Sequence, residues 1–292
     1  MDIEPEKTII GFIGLGVMGK SMAGHILDAG FELHVYTRTK KSGETLLAQG
    51  AVWENSVSEL SGKCDIIITI VGFPADVEEI YFGKNGILSQ AKKETILIDM
   101  TTSSPDLAMK IYNKAKEKQI ESLDAPVSGG DLGARNATLS IMVGGDKKTF
   151  DKVFPIFKTL GKNIELQGKA GAGQHTKMAN QIALATGMIG VCESLAYAEK
   201  SGLDPETVLK SIGQGAAGSW SLNNMGPRMI AGNFDPGFYI KHFIKDMNIA
   251  AESSKSLGLA TPGLDLVLSL YKKMADDGFE DYGTQALYKL FK

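Results

Sequence analysis

Short apolar runs alternate with amphipathic stretches through the first half of the chain. Residues 9–13, 32–36, 65–71, 95–99, 121–123, 140–143 and 163–165 are brief and mostly apolar or β-branched, which predicts strands. Residues 18–29 place Met22, Ile26 and Leu27 at helical spacing and predict the first intervening helix. Strands separated in this way by helices predict a doubly wound, mostly parallel sheet of the α/β Rossmann type, covered on both faces. Its ligand crevice is expected at the carboxyl ends of the strands.

The pattern changes at the glycine-rich stretch Gly168-Lys169-Ala170-Gly171-Ala172-Gly173. Beyond it a long helical pattern covers residues 174–201, with Met178, Ile182, Ala185, Ile189 and Ala196 near one stripe. Asp204 followed by Pro205 reads as a cap and first turn of the next helix. Further helices are expected at residues 205–213, 221–232, 241–257, 263–276 and 284–291, and no strand is expected here. The chain thus divides into an α/β domain, 1–170, and an all-helical domain, 171–292, that contains the long interdomain helix. One long, largely apolar helix in so small a domain leads us to expect a homodimer or homotetramer formed through it.

The first predicted turn carries a specific signal. Gly14, Gly16 and Gly19 form G-x-G-x-x-G directly behind an apolar strand and ahead of a helix. The first glycine permits the tight turn, the second lets backbone approach a pyrophosphate, and the third lets helix and strand pack closely. The run Gly14-Leu15-Gly16-Val17-Met18-Gly19 is therefore expected to bind a dinucleotide, with the helix N-terminus aimed at its phosphates. At the end of the second strand, where NAD-binding folds place a carboxylate, the chain reads Thr37-Arg38-Thr39-Lys40-Lys41. Arg38 offers a planar fork for phosphate, and Thr37 and Thr39 offer hydroxyls, so NADP is expected, with NAD as the alternative.

Composition narrows the partners. A net charge of -3 gives no basic field for nucleic acid, and the longest apolar run, residues 66–71, is too short to span a bilayer. The two cysteines are isolated and the four histidines scattered, which leaves no metal-ligand spacing and no disulfide framework. No nucleic acid, membrane or metal is expected, and a reducing cytoplasmic setting fits.

Three further segments carry candidate chemistry. In Asp124-Ala125-Pro126-Val127-Ser128-Gly129-Gly130, at a strand end, the serine hydroxyl and unshielded glycine amides suit a carboxylate. In Gly171 to Gln181, Lys177 shares a helix face with Asn180 and Gln181, and an ammonium in a dry cleft can hand its proton to a forming alcohol. Lys245 and Asp246 offer a charged pair from the helical domain. Gly218-Ser219-Trp220-Ser221, Phe238 and Phe243 are candidate pocket walls, although aromatics at helical spacing are more often core.

Together these segments resemble the β-hydroxyacid dehydrogenase family along nearly the whole chain: GFIGLGVMGKSMAG at residues 11–24, DAPVSGG at 124–130, GAGQHTKMANQ at 171–181 and Lys245-Asp246. The resemblance implies that Ser128, Gly129 and Gly130 bind substrate carboxylate, that Lys177 is the catalytic acid/base, and that Asn180 and Gln181 orient the substrate. It implies that Lys245 and Asp246 border nicotinamide and substrate, and that Val71, Gly72 and Thr102 touch the cofactor. Some members carry Asn where this chain has Gln181, which alters the reach of that contact. The NADP-using branch more often has Asn at the position of Thr37. The implied activity is hydride transfer between NADP and a small β-hydroxy acid or its semialdehyde, of the 3-hydroxyisobutyrate, tartronate semialdehyde, succinic semialdehyde or glyoxylate class. An imine reductase and a non-catalytic NADP-binding oligomerisation module are the alternatives, and Lys177 argues against both. A 6-phosphogluconate dehydrogenase is disfavoured by the short helical domain.

Overall fold

The apolar run ahead of the glycines forms β1, Ile9–Ile13, in the computed structural model, which describes residues 3–292. It lies between β2, Glu32–Tyr36, and β4, Ile66–Thr69, and β2 is flanked by the short β3, Val52–Trp53. On the other side follow β5, Ile96–Asp99, and β6, Glu121–Asp124. These six strands are parallel, in the order β3-β2-β1-β4-β5-β6. The sheet continues through β8, Leu139–Gly145, which is antiparallel to β6 and to the two-residue β7, Val127–Ser128. Finally β9, Gly161–Gly168, pairs parallel with β8.

Successive residues of the central strands serve opposite faces, as a pleat requires. Ile10, Phe12, Ile66, Ile68, Ile96 and Ile98 join one apolar core with Met22 and Ile26 of the helix Gly19–Asp28. Ile13, Ile67 and Leu97 join the other with Leu60 of the helix Val57–Lys63. Each such fully buried aliphatic side chain contributes about 1.5–3 kcal/mol. Burial on both faces explains the nearly continuous apolar runs and leaves only the strand ends for polar work.

Two compact units make up the chain, Met1–Lys177 and Met178–Lys292. The sequence division at 170/171 lies seven residues earlier than this one. The first turns of the helix Ala172–Lys200 belong with the sheet, for reasons that emerge from the site below. The helical unit otherwise comprises Pro205–Ile212, Trp220–Ile230, Ile240–Ser256 and Pro262–Asp276. Asp204 caps the first of these through the Thr207 amide and Ser219 caps the second through the Leu222 amide, satisfying donors that the first turn leaves without helical partners. Met188, Cys192 and Leu195 of the long helix pack with Phe243, Met247, Tyr271 and Met274.

Two sequence expectations change. The strands Val52–Trp53 and Val127–Ser128 carry too few residues for an alternation to show. The last predicted helix, Thr284–Phe291, is a 3-10 helix that buries five consecutive residues, Thr284 to Tyr288, which no single α-helical face could do. The Tyr271 hydroxyl donates to the Thr284 carbonyl at 2.7 Å and anchors it. The long apolar helix expected from the sequence is Ala172–Lys200, which by length and composition alone could cross a bilayer. Its buried positions, however, are committed to the protein interior, including the polar Gln174, Lys177 and Gln181.

Candidate active site

The glycine turn divides its labour among three residues. Gly14 has φ +102, and a Cβ there would lie 2.1 Å from the Ile70 carbonyl oxygen, so only glycine makes this turn. At Gly19 a Cβ would fall 2.0 Å from the Gly14 carbonyl oxygen. At Gly16, by contrast, a Cβ would meet nothing within 4 Å, which leaves open space where backbone can approach a phosphate. The helix Gly19–Asp28 begins with no side-chain cap and no acid in its first turn, so its amides suit an anion. These features fit a pyrophosphate. The Leu15 side chain is packed in the core, so only its backbone can serve a ligand, whereas Val17 is exposed.

At the end of β2 the Arg38 side chain is 83% exposed and lies 3.4 Å from Asp76 Oδ1. A pair so long and so exposed is worth well under about 1 kcal/mol and yields readily to a phosphate. Asp76 is also used locally, its Oδ2 accepting from the Phe73 amide at 3.1 Å. Thr37 is half-buried and Thr39 exposed.

Val71 and Gly72 follow β4, and Thr102 follows β5, both at the carboxyl edge of the sheet. A buried network lies beneath them. Asp99 Oδ1 accepts from the Thr69 hydroxyl at 2.9 Å and from the Thr101 amide at 3.1 Å, and the Thr101 hydroxyl oxygen accepts from the Val71 amide at 3.0 Å. Tyr81 meets the Thr69 hydroxyl at 3.0 Å. Burial pushes the Asp99 carboxyl up to about 6 against the opposing hydrogen bonds from Thr101 and Thr69.

The segment 124–130 is held as firmly. Asp124 Oδ1 accepts from the Gly171 amide and its Oδ2 from the Gln174 amide, both at 2.8 Å. Burial raises this carboxyl, and those backbone bonds pull it back down. Gln174, fully buried, donates to the Thr101 carbonyl at 2.7 Å and accepts from the Ser103 amide at 2.9 Å. One turn further on, Lys177 is 6% exposed and its Nζ donates to the Val127 carbonyl at 2.9 Å. Adjoining Val127 are Ser128, half-buried, and Gly129 and Gly130, whose φ angles of +132 and +62 make a concave run of amides. The structure therefore joins Lys177 to the serine-glycine segment some fifty residues away. Asp124, Gln174, Asp99 and Thr101 were not singled out as site residues from the sequence. Their hydrogen-bond partners are too remote in the chain to leave a local pattern.

In the helical unit, Asn180 donates to Gln181 Oε1 at 2.7 Å, and the fully buried Gln181 donates to Asp246 Oδ2 at 2.6 Å. Lys245 Nζ lies 2.9 Å from Asp246 Oδ1, so Gln181, Asp246 and Lys245 form a chain. Burial and the neighbouring Lys245 and Lys241 hold the His242 imidazole below its ordinary value. The aromatic expectations divide: Phe243 is fully buried and packs on Phe238 and Tyr271 as core, while Trp220 is 55% exposed.

Residues 9–168 match the NAD binding domain of 6-phosphogluconate dehydrogenase, and residues 171–291 match the NAD-binding family of NADP-dependent 3-hydroxyisobutyrate dehydrogenase. The chain is 62% identical to the uncharacterized oxidoreductase YkwC of Bacillus subtilis over 98% of this chain and 99% of that one. It is 41% identical to 2-hydroxy-3-oxopropionate reductase of Escherichia coli over 95% of each. The structure of Mycobacterium tuberculosis 3-hydroxyisobutyrate dehydrogenase with L-serine shares the fold at a TM-score of 0.90, with 29% identity over 98% of this chain and 99% of that one. A glycine turn shaped for pyrophosphate and full-length kinship with named reductases and dehydrogenases lead to one assignment: the chain belongs to the NAD(P)-dependent β-hydroxyacid dehydrogenases.

Proposed function

We propose that this enzyme uses NADP to interconvert a small β-hydroxy acid and its semialdehyde, with Lys177 as the general acid and base. The observation that carries the reading is the buried Lys177 ammonium, held 2.9 Å from the Val127 carbonyl beside Ser128, Gly129 and Gly130. The nicotinamide supplies or removes the hydride. In the reductive direction Lys177 donates a proton to the carbonyl oxygen as it becomes an alcohol, and in the oxidative direction the neutral amine takes that proton back. The Val127 carbonyl accepts one of the three ammonium protons and so orients the other two. Ser128, Gly129 and Gly130 receive the substrate carboxylate. Asn180 and Gln181 orient the substrate, with Gln181 steadied by Asp246, and Lys245 serves the cofactor.

The relatives named for 2-hydroxy-3-oxopropionate and 3-hydroxyisobutyrate, and the structure containing L-serine, support a short acid oxidised at its third carbon. Succinic semialdehyde and glyoxylate are the competing chemistries. The NADP preference rests on Arg38 and on the absence of any carboxylate from residues 37–41. We place the enzyme in the cytoplasm, consistent with two buried free cysteines. Assembly is assigned to the helical unit, which holds Tyr197, Leu203, Trp220, Leu257, Leu259, Leu266 and Tyr282, most of the exposed large apolar residues.

A panel of these acids and semialdehydes assayed with NADPH and NADH, in the oxidised and reduced directions, tests the assignment. Turnover with NADP(H) of an acid that has a three-carbon main chain oxidised at its third carbon, tartronate semialdehyde or 3-hydroxyisobutyrate, is expected. Undiminished turnover by Lys177→Ala would refute the mechanism.

A further inference from the structure

We infer that Asp124 and Gln174 are positioning residues for proton transfer: they pin the first turn of the long helix so that Lys177 is delivered beside Ser128, Gly129 and Gly130. This rests on the reading of Lys177 as proton donor. Asp124 lies in the same short segment as the serine and glycines, yet its two carboxylate oxygens hold the amides of Gly171 and Gln174 on the helix that carries Lys177. One side chain thus ties the proton donor to the segment expected to receive the carboxylate.

The fit around that tie leaves little room for adjustment. A Cβ on Gly144 would lie 2.5 Å from Asp124 Oδ1 and 2.6 Å from the Gly173 amide nitrogen, and a Cβ on Gly173 would lie 2.4 Å from the Met142 carbonyl oxygen. The helix therefore begins in direct contact with the backbone of β8, and no longer acid could replace Asp124 without displacing it. Gln174 supplies a second, independent tie, because its amide bridges the Thr101 carbonyl and the Ser103 amide. The Thr101 hydroxyl oxygen in turn accepts from the Val71 amide, so one brace serves both the turn carrying Lys177 and the loop expected to meet the cofactor. Neither residue is needed to touch substrate; each acts by fixing where Nζ sits, and misplacement by about 1 Å costs on the order of a hundredfold in rate.

The test uses the full chain, steady-state kinetics with NADPH and the preferred semialdehyde, and thermal unfolding as a check of folding. Asp124→Asn replaces one acceptor with a donor facing an amide; it is expected to lower kcat about 10- to 100-fold while leaving the KM for NADPH within about threefold. Gln174→Glu is expected to lose kcat at alkaline pH and to regain it relative to wild type as pH falls, because a protonated carboxyl again both donates to Thr101 and accepts from Ser103. In a Lys177→Ala background, Asp124→Asn is expected to add no further loss. Wild-type kcat in both single variants, or an equal Asp124→Asn effect with and without Lys177, would overturn the inference. If Asp124→Asn does not fold, the pH profile of Gln174→Glu decides alone. Full turnover by Lys177→Ala would instead overturn the proton-donor reading beneath it.

Discussion

Lys177 and Asp99 show how burial and hydrogen bonding turn ordinary side chains to specific use. Lys177→Ala is expected to cut turnover about 10²- to 10⁴-fold, to a small residual rate, while NADPH still binds, as followed by fluorescence titration, because the dinucleotide turn lies elsewhere in the chain. Arg38→Ala is expected to raise the KM for NADPH about 10- to 100-fold and to leave that for NADH nearly unchanged, the worth of one or two charge-assisted bonds to phosphate. Equal losses with both cofactors would remove Arg38 from phosphate recognition. Asp99 makes a pH prediction. Its folded value of about 6 lies above the ordinary carboxylate range, so the native state holds a proton that the unfolded chain releases. Its stabilising contribution is therefore complete in acid and is lost as pH rises through about 6. Asp99→Asn keeps the acceptor for Thr69 and Thr101 without the charge. It is expected to unfold later than wild type at about pH 8, by on the order of 2–3 kcal/mol, with the advantage gone near pH 4.

At the scale of elements, the glycine turn separates folding from binding. Gly19→Ala forces a Cβ against the Gly14 carbonyl oxygen and is expected to lower both thermal stability and cofactor affinity. Gly16→Ala meets no protein atom within 4 Å, so its melting temperature is expected to match wild type while dinucleotide affinity falls at least about tenfold. A full loss of stability in Gly16→Ala would show that the space there is structural. These elements were largely legible: β1, the helix after it and β2 follow from an apolar run, a glycine motif and a 3.6-residue repeat. The two-residue strands were not, because a strand that short is defined by its neighbours rather than by its own pattern. Nor was the 3-10 geometry of Thr284–Phe291, whose burial on all sides depends on Tyr271 and the surrounding helices.

For the whole molecule, each unit carries one buried thiol, Cys64 in the sheet unit and Cys192 in the helical unit. Burial pushes the Cys64 thiol up to about 12 and raises that of Cys192 as well, so neither presents a thiolate near neutrality. Both are expected to resist a thiol reagent in the native protein and to react only as their own unit unfolds, which single-cysteine variants followed by mass spectrometry would read. Prompt native labelling of either would contradict its burial. Sedimentation is expected to show a dimer or tetramer, and a charge placed at the exposed Tyr197 or Leu266 is expected to shift it toward monomer.

The amino-acid sequence by itself determined the α/β and all-helical halves, the dinucleotide turn, and the kinds of residue offered for phosphate, carboxylate and proton transfer. Each of these is written in local spacing, where periodicity tells which face is apolar and glycine tells where backbone must turn tightly. Only the tertiary structure decided that Asp124 grips Gly171 and Gln174, that Gln174 braces Thr101 and Ser103, and that Lys177 reaches Val127. It also assigned the first turn of the long helix to the sheet unit. Those bonds join residues about fifty to seventy positions apart, and a hydrogen bond across such a distance depends on how strands and helices stack, which no local repeat in the chain encodes.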